Sequence, residues 1–135
     1  MITRNWGIVR DCMRREVTEV DGTMDVLSAL KVMKKVGATS LIVKRRDDQD
    51  EYGLLLFSDI AKEVIAKDRA PERVNVYEIM AKPVLSVRPD MQIRYCARLF
   101  ENFGISHAPV VEDDKVVGIV SFYLLVLQGL APHLD

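Results

Sequence analysis

The sequence predicts an α/β (α+β) fold made of two β-α-β-β-α repeats that pack with pseudo-twofold symmetry. Three observations support this prediction: a long internal repeat, apolar residues at strand and helix spacing within each copy, and a length suited to two small units. The chain has 135 residues, of which 49% are hydrophobic and 29% charged, with a formal net charge of −1. About 60 residues with one small sheet leave a sheet face and a helix face uncovered, so two copies are expected to pack together.

The internal repeat is found when the sequence is shifted by 67 positions, which places residues 9–13 (VRDCM) on residues 76–80 (VYEIM). The same shift aligns Gly37 with Gly104. The identical positions are mostly apolar residues or glycines, the kinds that set packing and turns. The sequence therefore predicts an N-terminal segment 1–8, a first repeat over 9–68, a polar linker 69–75 and a second repeat over 76–131.

The elements of the first repeat follow from the spacing of its apolar residues. Residues 17–20 alternate as a short strand does, and apolar residues then recur at positions 26, 30, 33 and 36, with Gly37 placed to end that helix. Two further apolar runs separated by a charged turn predict a hairpin, and a helical segment follows it. The predicted elements are, in order, 17–20, 26–36, 40–43, 52–57 and 59–67.

The second repeat predicts the same elements in the same order. Its helical stripe is formed by apolar residues at positions 93, 97, 100 and 103, and Gly104 is placed to end the helix. The predicted elements are 84–87, 93–103, 108–111, 116–122 and 123–130.

Composition and charge exclude several classes of protein. A near-neutral net charge argues against a nucleic-acid binder, which normally shows a strong basic excess. Apolar runs such as 54–57 and 124–127 are too short to cross a bilayer, and residues 1–10 hold no signal-peptide core, so no membrane partner and a cytoplasmic location are expected. Cys12 and Cys96 are expected to be reduced, packed thiols, and no Cys/His cluster predicts a metal site.

The repeat resembles the CBS-domain pair, also called a Bateman module, and the resemblance spans nearly the whole chain. It rests on residues 76–80 ahead of 84–87, on HAPVV at 107–111 and on GIVS at 118–121. In that family the closing strand carries Gly-h-h-Thr/Ser-x-x-Asp, where h is an apolar residue.

The resemblance implies a regulatory binding module without chemistry of its own. CBS pairs bind adenosine-containing ligands (AMP, ADP, ATP or S-adenosylmethionine) in the clefts between repeats, and they typically form disc-shaped homodimers. The implied function is ligand sensing, transmitted by conformational change to a separate effector protein, with no catalytic cofactor. The alternative is a structural dimerisation module whose clefts bind nothing. An enzyme is not expected, because the sequence contains neither a Walker A loop nor GxGxxG and no converging set of catalytic groups is visible.

The two repeats keep different halves of the family's ligand motif. The first repeat has Asp59, which the resemblance assigns to the ribose hydroxyls, but Leu56 replaces the expected hydroxyl residue, and Ser58 could supply a substitute. The second repeat keeps Ser121 and has Leu124 in place of the carboxylate. The favoured cleft, in which apolar residues enclose the base and the lysine and histidine approach phosphate, would be formed by Asp59, Ser58, Ile105, Ser106, His107, Lys82, Pro83 and Val84. A second, weaker cleft would combine Ser121, Tyr123, Ala38, Thr39, Ser40, Arg14 and Arg15.

Each of these residues also has a purely structural interpretation. Asp59 is a good helix-capping residue without any ligand, and Ser121 can form a hydrogen bond at a strand end. His107 can lie at the surface, and Arg14 and Arg15 can occupy a solvated turn. The sequence leaves these alternatives open.

Overall fold

The computed structural model describes residues 5–82 and 84–134, and the chain divides into two compact units. The first unit is Thr18–Val84, and the second joins the described parts of Met1–Val17 and Leu85–Asp135. The strands are β1 (Glu19–Val20), β2 (Ser40–Val43), β3 (Gly53–Leu56), β4 (His107–Glu112) and β5 (Lys115–Ser121). The helices are α1 (Val26–Val36), α2 (Phe57–Ile60), α3 (Val76–Ile79), α4 (Ile93–Phe103) and α5 (Phe122–Leu130). A π-helical stretch, Ala61–Ile65, continues α2, and short 3-10 turns cover Val9–Asp11, Pro71–Arg73 and Ala131–His133. This mixture of helices and small sheets confirms the predicted α/β class.

The first unit is built on a three-stranded sheet in the order β1-β2-β3. β1 runs parallel to β2, and β2 pairs antiparallel with β3, with Ser40 opposite Leu56 at one end and Val43 opposite Gly53 at the other. Apolar side chains from the sheet and from the helices on it form the core of this unit: Val20, Val26, Ala29, Met33, Leu41, Val43, Leu55, Ile60, Val64, Val74, Val76 and Ile79.

The two long helices, α1 and α4, occupy equivalent places in the repeat and match the predicted bounds 26–36 and 93–103. Asp25 caps α1 by accepting the backbone N–H of Ser28 at 2.9 Å. Gly37 and Gly104 follow the helices with φ of 69° and 63°, a left-handed conformation that ends a helix and favours glycine. The repeated glycines therefore mark true helix ends.

The second unit contains an antiparallel hairpin, β4-β5, that closes between Glu112 and Lys115. The predicted strand 84–87 is reduced to a single parallel bridge between Val87 and Val110. The backbone N–H of Val87 donates to the carbonyl of Pro109 at 3.0 Å, and its carbonyl accepts from Val111 at 2.9 Å, whereas residues 84–86 join no ladder. The core of this unit consists of Val9, Cys12, Met13, Val87, Ile93, Cys96, Phe100, Ala108, Val110, Val120 and Leu125.

Each unit includes the segment that precedes the first strand of the other sequence repeat. In the first unit, Ala81 forms an antiparallel bridge with Leu54 of β3, and in the second unit Arg14 forms the corresponding bridge with Ile119 of β5. Both bridges exchange two backbone hydrogen bonds, with lengths from 2.8 to 3.0 Å. The compact units thus group residues differently from the boundaries 9–68 and 76–131, which remain a prediction about the sequence repeat.

The two cysteines, Cys12 and Cys96, are free thiols in the core of the second unit. Burial raises the pKa of Cys12 to about 11 and that of Cys96 to about 12. Both thiols are therefore protonated at neutral pH and behave as small apolar side chains, which supports the prediction of packed cysteines.

Within residues 5–82 and 84–134, no helix is long and apolar enough to cross a bilayer. The same residues contain no group of three or more His, Cys, Asp or Glu side chains placed to hold a metal ion.

Candidate functional site

Asp59 lies in the first turn of α2, directly after β3 ends at Leu56. Its carboxylate oxygen Oδ2 accepts the backbone N–H of Leu56 at 2.8 Å, as the third residue of a helix does when it reaches back to the capping position. The side chain is half-buried. This contact supports the capping interpretation, and it also fixes the carboxylate at the junction between strand and helix.

The strand–helix junction is built in the same way in both units. At the start of α2, the backbone N–H of Phe57 donates to the carbonyl of Thr39 at 3.2 Å, and at the start of α5 Phe122 donates to Ser106 at 3.0 Å. Ser58, next to Phe57, is exposed. The backbone frame is therefore repeated, and the two junctions differ in the side chains that they present.

Lys82 lies at the other end of β3 from Asp59. The bridge between β3 and Ala81 is antiparallel, so the chain continues from Ala81 toward the start of β3, whereas Asp59 follows its end. The Lys82 ammonium is 2.6 Å from a carboxylate oxygen of Asp50, which precedes β3. The structure therefore does not bring Lys82 to Asp59.

Asp50 binds two cations through one oxygen, Oδ2, since Arg46 Nε lies 3.1 Å from it and Lys82 Nζ 2.6 Å. Hydrogen bonds from Lys82 and Arg46 hold the pKa of Asp50 well below its usual range, so the carboxylate is ionised at neutral pH. Asp50 could not be singled out from the sequence, because its partner Lys82 is 32 positions away and no local pattern joins them.

The remaining residues of the favoured site divide between the two units. Val84 is half-buried in the first unit, and Pro83 lies outside the described residues. Ile105, Ser106 and His107 belong to the second unit, where they lead from α4 into β4. Ile105 packs against that unit's core, and the Ser106 hydroxyl lies 2.8 Å from Nδ1 of His107. This hydrogen bond orients the imidazole at the start of β4.

Ser121 ends β5 and caps α5, since its Oγ accepts the backbone N–H of Leu124 at 3.2 Å. Ser121 is only 8% exposed. The hydroxyl that the second repeat keeps from the family motif is thus used by the helix, which supports the strand-end interpretation. Tyr123 is 71% exposed, and Leu124 is half-buried where the motif expects a carboxylate.

The cations of the weaker predicted site, Arg14 and Arg15, are both exposed. Arg14 is placed by its backbone bridge to Ile119, and the Arg15 guanidinium lies 3.5 Å from the carbonyl of Arg10. The other residues of that site lead from α1 into β2 in the first unit: Ala38, Thr39 and Ser40. Both of the arginine contacts are with the backbone of the second unit, and neither joins the two guanidinium groups.

Comparison with known proteins identifies the repeat. A family model described as CBS domain matches residues 9–66 and 76–125. An uncharacterized protein of Methanopyrus kandleri is 27% identical over 114 residues, which cover 84% of this chain and 58% of that protein. The chain therefore spans less than two thirds of the length of this relative.

Solved structures share the fold along nearly the whole chain. A hexameric CBS-CP12 protein from bloom-forming cyanobacteria superposes with a TM-score of 0.89 and 33% identity, over 95% of this chain and 75% of that one. The CBS domain pair of protein MJ0100, solved with 5′-methylthioadenosine and S-adenosyl-L-methionine, gives a TM-score of 0.75 at 24% identity, over 89% of this chain and 97% of that one. The similarity to the MJ0100 domain pair shows a shared fold.

Proposed function

Because this chain belongs to the CBS-domain family, whose paired domains are regulatory ligand-binding modules, we propose that it senses an adenosine-containing ligand at Asp59. Ligands of the AMP, ADP and ATP type and S-adenosylmethionine belong to this class. Occupancy of this site by the ligand is transmitted to a separate effector protein by a conformational change. Such a change requires that the ligand bind one conformation of the protein better than another.

The observation that carries this proposal is the placement of the Asp59 carboxylate. The N–H of Leu56 holds Oδ2 at 2.8 Å at a fixed strand–helix junction. An ionised carboxylate accepts about four hydrogen bonds in all, so this backbone contact orients the group without exhausting it. The two neighbouring hydroxyls of a ribose are donors that suit one such carboxylate.

The ribose is assigned to the β3–α2 junction, where Asp59 lies. The equivalent junction in the second unit presents Leu124, which has no acceptor, and the hydroxyl of Ser121 is bonded to the backbone of α5. Ile105, Ser106 and His107 stay predicted contacts for the base and the phosphate. The MJ0100 domain pair, which has the same fold, provides a precedent for adenosine-type ligands in that protein.

In a thermal-shift screen with AMP, ATP, NAD and S-adenosylmethionine, we expect at least one of these compounds to raise the melting temperature of the apo protein. A ligand at 100 times its Kd adds about 2.7 kcal/mol of stability, which corresponds to several degrees. The Asp59→Asn variant keeps a capping oxygen but loses the charge, so its affinity for that ligand should fall about 10- to 100-fold.

The matched control is Asp25→Asn, which changes another helix-capping carboxylate of the same unit. Its ligand-induced shift should equal that of the unmodified protein. A ligand shift that persists in Asp59→Asn would move the site elsewhere, and the absence of a shift with all four compounds would overturn ligand sensing.

A structural dimerisation module is the second candidate function, and the surface of α5 favours it. This helix exposes apolar side chains along its length, with Tyr123 71%, Val126 57% and Leu127 43% exposed. An exposed apolar stripe of this kind is typical of a protein–protein contact. We propose that α5 contributes to a homodimer, an assembly compatible with ligand sensing as well as with a purely structural role.

Light scattering after size exclusion should therefore give twice the chain mass of 15.3 kDa. Val126→Glu should shift the population to monomer, because it places a charge on the apolar stripe. Gln128→Glu adds the same charge at an exposed polar position of the same helix and should leave the dimer intact. A monomeric unmodified protein, or equal dissociation by both variants, would contradict the dimer contact on α5.

A further inference from the structure

A cavity of about 710 Å³ opens in the first unit, at the end of the sheet away from Asp59. β1 and β2 are parallel, so their carboxyl ends meet at one edge, and the turn after β1 and the segment after β2 both line the cavity. Residues Asp21–Thr23 come from the turn, residues 44–46 follow β2, and Lys82 completes the rim. Three separate segments of one compact unit thus form the cavity.

The cavity is rich in cations. Its lining includes Lys44, Arg45, Arg46 and Lys82. Two carboxylates accompany these cations, since Asp21 also lines the cavity and Asp50 is bonded to Arg46 and Lys82.

The two carboxylates fix different parts of the cavity lining. Asp21 Oδ1 accepts the backbone N–H of Thr23 at 3.0 Å and its hydroxyl at 2.9 Å, which fixes the turn after β1. Asp50 holds Arg46 and Lys82 side by side on one oxygen. Arg46 and Lys82 are therefore fixed beside each other at the rim of the cavity.

The rest of the lining is apolar and includes an aromatic ring. Val43, Tyr77 and Met80 line the cavity together with Gly22. The backbone N–H of Tyr77 donates to the carbonyl of Gly22 at 2.9 Å, which ties α3 to the turn after β1. An apolar wall beside a cationic rim suits a ligand that carries both an anionic group and a flat apolar part.

We propose that this cavity is a second binding site, for a small phosphorylated molecule with an aromatic or similarly flat apolar group. The cations neutralise the phosphate, and Tyr77 and Met80 cover the apolar part. The site lies wholly within the first unit and does not use Asp59, so the inference is independent of adenosine binding there. It also gives Lys82 an anion-binding role at a different place from the one that the resemblance predicts.

Phenyl phosphate is a direct probe of this site, with inorganic phosphate and phenol as its two halves. In amide-resolved NMR titrations of the full chain, phenyl phosphate should shift the signals of Gly22, Thr23 and Lys44. Its Kd should be at least tenfold lower than that of either half, because neither half fills both the cationic and the apolar part of the cavity.

The test variant is Lys44→Gln/Arg45→Gln, which should raise the Kd of phenyl phosphate at least tenfold. Its matched control is Lys34→Gln/Lys35→Gln, which removes the same charge from exposed positions at the end of α1 in the same unit. The control should change the Kd less than twofold, and the NMR spectrum of each variant reports whether it is folded.

Several outcomes would overturn the proposal. An equal loss of affinity in both double variants would mean that phosphate binds through overall charge, and equal Kd values for phenyl phosphate and inorganic phosphate would mean that the apolar wall is not used. Asp59→Asn separates this site from the sensing site: it should leave the Kd of phenyl phosphate unchanged, while Lys44→Gln/Arg45→Gln should keep the thermal shift with the adenosine ligand.

Discussion

Replacing Phe100 with alanine is expected to lower the free energy of unfolding by about 3–5 kcal/mol. Phe100 is fully buried in α4, and its ring meets that of Phe122 edge-on, with centroids 5.2 Å apart and planes at 81°. Truncation removes this aromatic contact and leaves a cavity in the core of the second unit, which close-packed neighbours fill only in part. Urea unfolding followed by circular dichroism measures the loss.

Phe103→Ala is the matched control for this prediction. Phe103 lies one turn later on the same helix and is 64% exposed, so its truncation should change stability by no more than about 0.5 kcal/mol. Equal losses at the two positions would show that the buried face of α4 is assigned incorrectly.

Replacing Gly118 with alanine should cost about 3 kcal/mol, the upper part of the range for overpacking a core. A Cβ at Gly118 would lie 2.9 Å from the backbone carbonyl oxygen of Arg14 and 2.7 Å from the sulfur of Met13. The carbonyl belongs to the bridge that joins Arg14 to Ile119, so it cannot move aside without breaking two backbone hydrogen bonds. The glycine of the family motif is needed here for the close approach of two backbones.

Alanine substitutions at two other glycines provide comparisons for the expected loss of stability at Gly118. A Cβ at Gly53 would meet the sulfur of Met80 at 2.6 Å, and a flexible thioether can turn away, so Gly53→Ala should cost less than Gly118→Ala. At Gly129, in α5, the nearest atom is 3.5 Å away on Ile93, and alanine should stabilise the protein by about 0.5–1 kcal/mol. Melting temperatures in any order other than Gly118→Ala lowest and Gly129→Ala highest would contradict this account.

The helices were predictable because the signals for them are local. The apolar stripes of 26–36 and 93–103 and the glycines that follow them gave the observed bounds of α1 and α4 without adjustment. The strand 84–87 was predicted too long, because apolar alternation does not show how many residues find a partner strand. Only Val87 does so among the described residues of that range.

The candidate site was predictable only in part. The position of Asp59 at a strand–helix junction follows from the motif, and the structure adds its hydrogen bond to Leu56. The place of Lys82 depends on the direction in which Ala81 crosses the edge of β3, and on an ion pair with Asp50. Both features belong to the tertiary structure, and the spacing of residues in the sequence does not predict them.

Each unit contains the segment that precedes the first strand of the other repeat, and this arrangement sets an order of assembly during synthesis. The first unit is a continuous stretch, Thr18–Val84, so all of its partners are present once that stretch has been made. The second unit must join its N-terminal segment to residues far along the chain, as the ion pair between Arg10 and Glu112 shows across 102 positions. Contacts of such long range form late because closing the intervening chain is entropically costly. The residues around Arg10 are synthesised before the first unit, but they can meet their partners only after the chain has been made as far as Glu112.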